Sequence, residues 1–163
     1  MNQLLSKGEA DKVRVALEAN GQRFTHQRAA VYACLQRTTT HPTAEEIYLQ
    51  VKKDLPAISL ATVYKALEAL VAAGLASKLV FGDHSARYDS RTDKHYHARC
   101  LGCGTIQDLP ATVPSPFPEP QALVEGFLVT EYRVEWLGYC AQCRPQYIPD
   151  LQEAPVGRPS EIF

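Results

Sequence analysis

The stretch that decides the fold runs from Arg87 to Asp108: RYDSRTDKHYHARCLGCGTIQD. Within it stand two histidines (His95, His97), two cysteines (Cys100, Cys103) and three aspartates (Asp89, Asp93, Asp108). Such groups are costly to bury unless something pairs with them, and a metal ion pairs with all of them. The stretch therefore reads as parts of two metal sites, one of thiolates and one of mixed donors.

The thiolate site needs a second half, and the chain supplies it. Cys100-Leu-Gly-Cys103 is a C-x-x-C, and Cys140-Ala-Gln-Cys143 is another, far downstream. Four thiolates suit zinc in a closed, tetrahedral, structural site. Gly102 and Gly104 allow the tight turn that such a knuckle needs. The wide gap between the pairs means that the zinc staples two distant segments. A thioredoxin-like redox pair would open a helix after a strand in a βαβ unit, and no such pattern surrounds either pair. Disulfides are disfavoured too. The chain starts MNQLLSKGE, without an apolar leader, and reads as cytoplasmic.

The mixed site starts from His95-Tyr96-His97. On a strand, alternate residues share a face, so both imidazoles point one way. Imidazole with carboxylate suits iron, manganese or zinc rather than calcium. Asp89, Asp93 and Asp108 are the nearby carboxylates. Asp93 keeps the strand parity of the histidines and competes for the role.

Outward from this stretch, composition sets bounds. A chain of 163 residues makes one domain or two small ones, and 45% hydrophobic residues suffice for real cores. No apolar run is long enough to span a membrane. The net charge is −1 but uneven: residues 1–86 carry ten Lys and Arg against eight Asp and Glu, and residues 87–163 carry seven against ten. The first half is the better candidate for nucleic acid.

That first half is helical by its apolar spacing. Residues 9–19 form one helix, stopped at Asn20-Gly21. Thr25 caps a second through about Gln36, with Ala30, Val31, Cys34 and Leu35 inward; Cys34 reads as core, and His26 as a surface residue of the first turn. Pro42 forces His41 out of the α region, so His41 is a loop residue just before a helix. Thr43 and Glu46 make a capping box for a third helix to about Asp54. Ser59 caps a fourth, with Leu60, Val63, Leu67, Leu70 and Val71 as its apolar stripe. Its other face carries Ala61, Thr62, Lys65, Glu68 and Ala69, with Tyr64 at the border; such a face enters a DNA groove without clashing. Residues 78–89 alternate and turn at Gly82-Asp83, which makes a hairpin with His84 at its tip. Helix-turn-helix plus hairpin is a winged helix. Thr105–Leu109 reads as a strand, the proline-rich 110–120 excludes a long helix, 121–125 reads as a helical turn, and 127–139 as a long strand running into Cys140. From Arg144 onward the tail reads as poorly packed.

These pieces carry a resemblance. RFTHQRAAVY, HPTAEEIY, SLATVYKAL, RYD, HYHARC-x-x-CG and the closing C-x-x-C resemble, in order, the ferric uptake regulator family, and most nearly its peroxide-sensing repressor subgroup. The likeness covers about residues 10–144. It implies an α+β protein: a winged helix-turn-helix DNA-binding domain over 1–88, a small metal-binding α/β dimerisation domain over 89–145, and a loose tail over 146–163. It implies a homodimer on palindromic double-stranded operator DNA, with Arg28, Ser59, Ala61, Thr62, Tyr64 and Lys65 as the contacts. Structural zinc falls on Cys100, Cys103, Cys140 and Cys143. A regulatory Fe(II) or Mn(II) falls on His41, Asp89, His95, His97 and Asp108. Asp108 stands where iron-sensing members tend to carry Glu. Hydrogen peroxide would oxidise His41 or His95 when the ion is iron. Lys65 departs from the Arg or Asn of many members, and the segment 110–120 departs from a more regular helix.

One ion gripped by all five residues requires both halves of the chain, so its binding sets the spacing of the two recognition helices in a dimer. A repressor of metal homeostasis without peroxide sensing uses the same parts. A non-haem iron enzyme also uses two histidines and a carboxylate, but a winged helix before the site and five protein ligands leave it little room, so no enzymatic activity is expected.

Overall fold

Four helices open the chain, and each starts at a hydroxyl. Ser6 accepts the Glu9 backbone N–H ahead of α1 (Lys7–Ala19), Thr25 that of Arg28 ahead of α2 (His26–Gln36), Thr43 that of Glu46 ahead of α3 (Ala44–Asp54), and Ser59 that of Thr62 ahead of α4 (Leu60–Ala72). Each bond satisfies a backbone donor that the helix cannot. At Ser6 and Thr43 the capping box closes from both sides, through Glu9 and Glu46. Gly74, at φ +67°, turns the chain after α4, a conformation glycine adopts without a Cβ clash. This computed structural model describes residues 5–80, 85–93, 95–109, 126 and 134–147.

Helices α2, α3 and α4 pack on one another. Val31, Leu35, Ile47, Val63, Leu67 and Leu70 are fully buried there, joined by Val13 and Leu17 of α1. Burying each such side chain is worth about 1.5–3 kcal/mol. Cys34 packs half-buried against this core, with its sulfur 3.4 Å from Gln50 Oε1. Ala69 corrects the expected α4 pattern: it is buried with the core, leaving Ala61, Tyr64, Lys65 and Glu68 exposed. His26 is exposed, as expected.

The wing is an antiparallel pair, β1 (Ser77–Leu79) and β2 (Arg87–Asp89), with Ser77 opposite Asp89. Its turn, with Gly82, Asp83 and His84, lies outside the described residues. Tyr88 buries its ring in the helical core. The chain divides into units Met1–Lys94 and His95–Phe163. Asp89 completes the wing strand and lies in the first of these units.

The second unit carries a three-stranded sheet of order β4-β3-β5. Its strands are β3 (Tyr96–Cys100), β4 (Ile106–Leu109) and β5 (Glu135–Gly138). Strand β3 runs antiparallel to β4 and parallel to β5. The expected features over 110–125 and 127–133 lie outside the described residues. The tail is corrected at its start: Arg144–Tyr147 forms a helical turn, α5, and Tyr147 stacks on Tyr139 at 4.6 Å. No helix among the described residues is long and apolar enough to cross a membrane.

Candidate metal centres

The thiol cluster is built from two strand ends. Strand β3 ends at Cys100, whose N–H donates to the Thr105 carbonyl, while the Gly104 N–H donates back to the Cys100 carbonyl. Gly104 holds φ +72° to close this turn. Strand β5 lies parallel beside β3, with Cys100 opposite Gly138, so Cys140 emerges next to Cys100. The Cys140 N–H points at Cys100 Sγ, 3.3 Å away. Gly102 is required for a different reason from Gly104: a Cβ there would sit 2.9 Å from both Cys143 Cβ and a Tyr147 ring carbon.

All four sulfurs lie within 4.8 Å of one another. Cys103 and Cys140 are 3.7 Å apart, and no disulfide joins any of the four. Zinc–thiolate bonds of about 2.3 Å in a tetrahedron put sulfurs about 3.8 Å apart, so the cluster fits zinc and not a disulfide. The thiols are also electrostatically divided. Backbone N–H groups of Cys140 and Cys103 pull the Cys100 thiol down to about 6. The Thr105 hydroxyl and N–H lower Cys103. Burial first, then the three neighbouring sulfurs, push Cys143 up to about 12. A fourth thiolate beside three others needs a cation to offset the repulsion, and zinc supplies it.

The histidines and carboxylates fall into two sets, one in each unit. In the first unit the His41–Thr43 segment pairs with the wing: Thr43 bridges to Arg87, the Tyr88 N–H donates to the Pro42 carbonyl, and Arg87 Nη1 donates to the His41 carbonyl at 3.0 Å. This pairing buries His41 to 3% exposure and brings its Nε2 to 3.7 Å from Asp89 Oδ2. The other Asp89 oxygen accepts the Arg91 N–H at 2.8 Å, an Asx turn that orients the carboxylate. His41 holds φ +50°, the one positive φ on a residue other than glycine among those described. Strain of this kind persists where the surroundings enforce it, and it clusters at functional positions.

In the second unit the two imidazoles of H-x-H stand together, His97 on β3 and His95 just before it. His95 Nε2 and His97 Nε2 are 2.9 Å apart, with the rings edge-on. His97 sits opposite Asp108 across β3 and β4. Asp108 Oδ1 lies 3.5 Å from His95 Nε2 and 3.6 Å from His97 Nε2. Donors about 2.1 Å from one ion stand about 3.0–3.4 Å apart at right-angled or tetrahedral positions. The triangle of two nitrogens and one oxygen therefore fits a single divalent ion. Asp93 does not join it. Strand β3 begins only at Tyr96, so strand parity does not reach back to residue 93, and both Asp93 oxygens are taken by the Arg91 guanidinium.

The helix face is partly assembled. Arg28, Thr62 and Lys65 line one cleft with Gln22, Arg23 and Thr25. The Arg28 guanidinium is braced on the Arg23 carbonyl and on Gln22 Oε1. Ser59 Oγ lies 2.8 Å from Thr62 Oγ1 at the start of α4. Ala61 is exposed. Tyr64 stands apart, with its hydroxyl donating to Glu45 Oε1 at 2.6 Å; that bond raises the phenol and lowers the carboxyl. Sequence reasoning missed Gln22, Arg23 and Arg87. Arg87 was visible only as part of RYD, because its work is to hold a carbonyl distant in sequence.

The model of the ferric uptake regulator family matches residues 19–136. The peroxide-responsive repressor PerR of Staphylococcus saprophyticus is 39% identical over 129 residues, which are 79% of this chain and 87% of that protein. Among solved structures, the Campylobacter jejuni peroxide stress regulator is 30% identical with a TM-score of 0.59, covering 88% of this chain and 100% of that one. The Vibrio cholerae ferric uptake regulator, whose crystal structure reveals rearranged DNA-binding domains, is 28% identical with a TM-score of 0.61, covering 78% and 98%.

Proposed function

Because this chain belongs to the ferric uptake regulator family, we propose that it is a metal-dependent transcriptional repressor that releases DNA when peroxide oxidises one of its metal ligands. The observation that carries the reading is the convergence of His95, His97 and Asp108 at 2.9–3.6 Å on one face of the second unit's sheet.

Zinc on Cys100, Cys103, Cys140 and Cys143 holds the second unit's strand ends together permanently. The regulatory ion, Fe(II) or Mn(II), is held by His95, His97 and Asp108 together with His41 and Asp89. Since those ligands divide between a DNA-reading unit and a dimerising unit, the ion's binding energy sets the posture of one relative to the other. Shifting a mostly open population to a mostly closed one takes roughly ten-thousand-fold preferential binding, about 5.5 kcal/mol. Loss of one or two ligands removes that preference.

The repressor binds palindromic double-stranded DNA as a homodimer in the cytoplasm. Half-sites lie about 34–36 Å apart or at multiples of that, so a modest swing of the recognition helices spoils the fit. Ala61, Thr62 and Lys65 of α4 face the groove. Ser59 fixes the helix start, Arg28 approaches the phosphate backbone from the shared cleft, and Tyr64 joins when it leaves Glu45.

Held by His41, Asp89, His95, His97 and Asp108, Fe(II) would supply the redox chemistry that splits the O–O bond of hydrogen peroxide: overall, one oxygen atom would go to the ring of His41 or His95 and the other would leave as water, and the oxidised ring would no longer ligate. The zinc thiolates are not the sensor, since metal-held sulfur is a weak nucleophile.

A gel-shift titration with Fe(II), Mn(II) and Zn(II), with and without hydrogen peroxide, tests this. Metal-dependent binding is expected with each ion that fills the site, lost after peroxide with iron and kept with manganese. Equal survival with both metals would leave a repressor of metal homeostasis in its place.

A further inference from the structure

His97 is flanked by carboxylates on both sides. Across β4 its register partner is Asp108, and across β5 it is Glu135. Register partners share a face of the sheet, so Asp108, His97 and Glu135 form one row across three strands. Asp108 reaches the imidazoles. Glu135 is instead taken by Arg99, two residues beyond His97 on the same face, with Arg99 Nε 2.6 Å from Glu135 Oε1. The pair is partly shielded, with 18% and 27% of the two side chains exposed. That shielding strengthens a charge-assisted bond over its surface counterpart.

We propose that Arg99 is a specificity-determining residue of the regulatory centre: it binds Glu135 and so keeps a second carboxylate of this sheet face out of the ligand set. This rests on the reading that a divalent ion sits at His95, His97 and Asp108. With Arg99 in place the second unit offers two imidazoles and one carboxylate. Without it, Glu135 stands beside His97 with a hard, anionic oxygen and no counter-charge. Carboxylate oxygen favours manganese, whereas imidazole favours ions later in the divalent series. Arg99 thereby holds the centre away from manganese. The guanidinium acts through Glu135 and touches no metal, which makes it a positioning residue.

The test is calorimetric titration of the full-length, zinc-loaded protein with Mn(II) alone and with Co(II) alone. Four proteins are compared: wild type, Arg99→Met, Glu135→Gln and the double variant. Methionine keeps the length and packing of the arginine stem. Arg99→Met is expected to tighten Mn(II) by about tenfold, the scale of residues that support ligands, and to tighten Co(II) by less. Glu135→Gln alone should leave both affinities within about twofold of wild type, since the carboxylate it removes is already engaged. The double variant should return to wild type. Loss of one positive charge without any gating would tighten both ions alike in Arg99→Met and would loosen both alike in Glu135→Gln, and that result overturns the proposal. An unchanged Mn(II) affinity in Arg99→Met overturns it too. His97→Ala separates the two levels: if it still binds Mn(II) as wild type does, the reading of the centre itself falls, whereas loss of binding in His97→Ala with no effect of Arg99→Met overturns only the role of Arg99.

Discussion

The thiol cluster and the histidine–carboxylate residues use the same strand, β3, in opposite ways. Cys100 ends that strand, and its three partners follow within the same unit, held by backbone N–H groups and by a glycine that leaves no room for a Cβ. Four thiolates at mutual tetrahedral distance form a site that is complete as it stands. His97 is the second residue of the same strand, and the second unit gives it His95 and Asp108 as company. Two nitrogens and one oxygen leave an ion wanting more donors. The first unit has a pair of its own: the wing sets His41 beside Asp89, at the cost of a left-handed backbone at His41. A closed site suits a metal that stays; a set of three donors with open positions suits a metal that comes and goes.

The largest effect should come from breaking the closed site. Cys100→Ser, or prolonged chelation, removes a structural zinc whose binding energy is about 10–16 kcal/mol in small zinc domains. The second unit should be strongly destabilised and the dimer weakened, read as a lowered melting temperature by circular dichroism, with zinc content and sedimentation on the same sample. Acidity probes the same site in the metal-free chain. Cys100 is lowered to about 6 in the folded state, so its contribution is full above the ordinary thiol value of about 8.5 and is lost as pH falls through about 6. Cys143 works in the opposite sense: raised to about 12, it contributes below the ordinary value and loses that contribution as pH rises toward about 12. Metal-free protein should therefore melt highest near pH 8–9, an optimum that bound zinc flattens. A melting temperature that climbs steadily toward low pH would contradict this assignment of the two thiols.

Next in size is His97→Ala. It should keep zinc, fold and dimer, and weaken metal-dependent operator binding by roughly a hundredfold or more, within the ten-thousand-fold that a full population shift allows. Gel shifts across a metal series measure the loss, and zinc analysis on the same sample checks the contrast. If zinc left together with DNA binding, the two centres would not be independent. Gly102→Ala is smaller. Its methyl meets Cys143 and Tyr147 at 2.9 Å, an overpacking worth about 1–3 kcal/mol. It should slow zinc rebinding and lower the melting point without changing affinity for Mn(II).

How far these centres could be read in the sequence follows from how local their causes are. The four helix starts at Ser6, Thr25, Thr43 and Ser59 depend on a hydroxyl and the next turn, so spacing alone revealed the last three; Ser6 lay just upstream of the helix as read from residue 9. The C-x-x-C pairs carry their geometry in their spacing. His41 looked like an ordinary loop residue, because its burial and positive φ come from Arg87 and Tyr88, more than forty residues on. Asp93 shares the parity of the histidines in sequence, but β3 starts only at Tyr96, so parity says nothing of its direction. Tyr147 carries no local sign of packing, because its partner, Tyr139, and the space at Gly102 exist only once the knuckles are closed. Ala69 was placed outward because a small residue on a helix border carries no sign of which way the packing turns it.

The smallest effect tests whether the first unit prepares its ligands independently of the second. Thr43 accepts the Glu46 N–H, and its own N–H donates to the Glu46 carboxylate at 2.8 Å, which fixes where α3 begins. The same residue bridges to Arg87, and it follows His41 by only two positions. Thr43→Ala removes the hydroxyl half of that box at about 1 kcal/mol, enough to lower the first unit's melting point by a few degrees. Because α3 starts where the His41 turn ends, a frayed start should also relax the left-handed backbone at His41 and loosen its hold beside Asp89. Mn(II) affinity should then drop by a few-fold while zinc content and its chelation rate stay at wild-type values. If Thr43→Ala lowered stability by the same amount yet left Mn(II) affinity untouched, the strain at His41 would be incidental to the centre, and the wing alone would suffice to position the ligands.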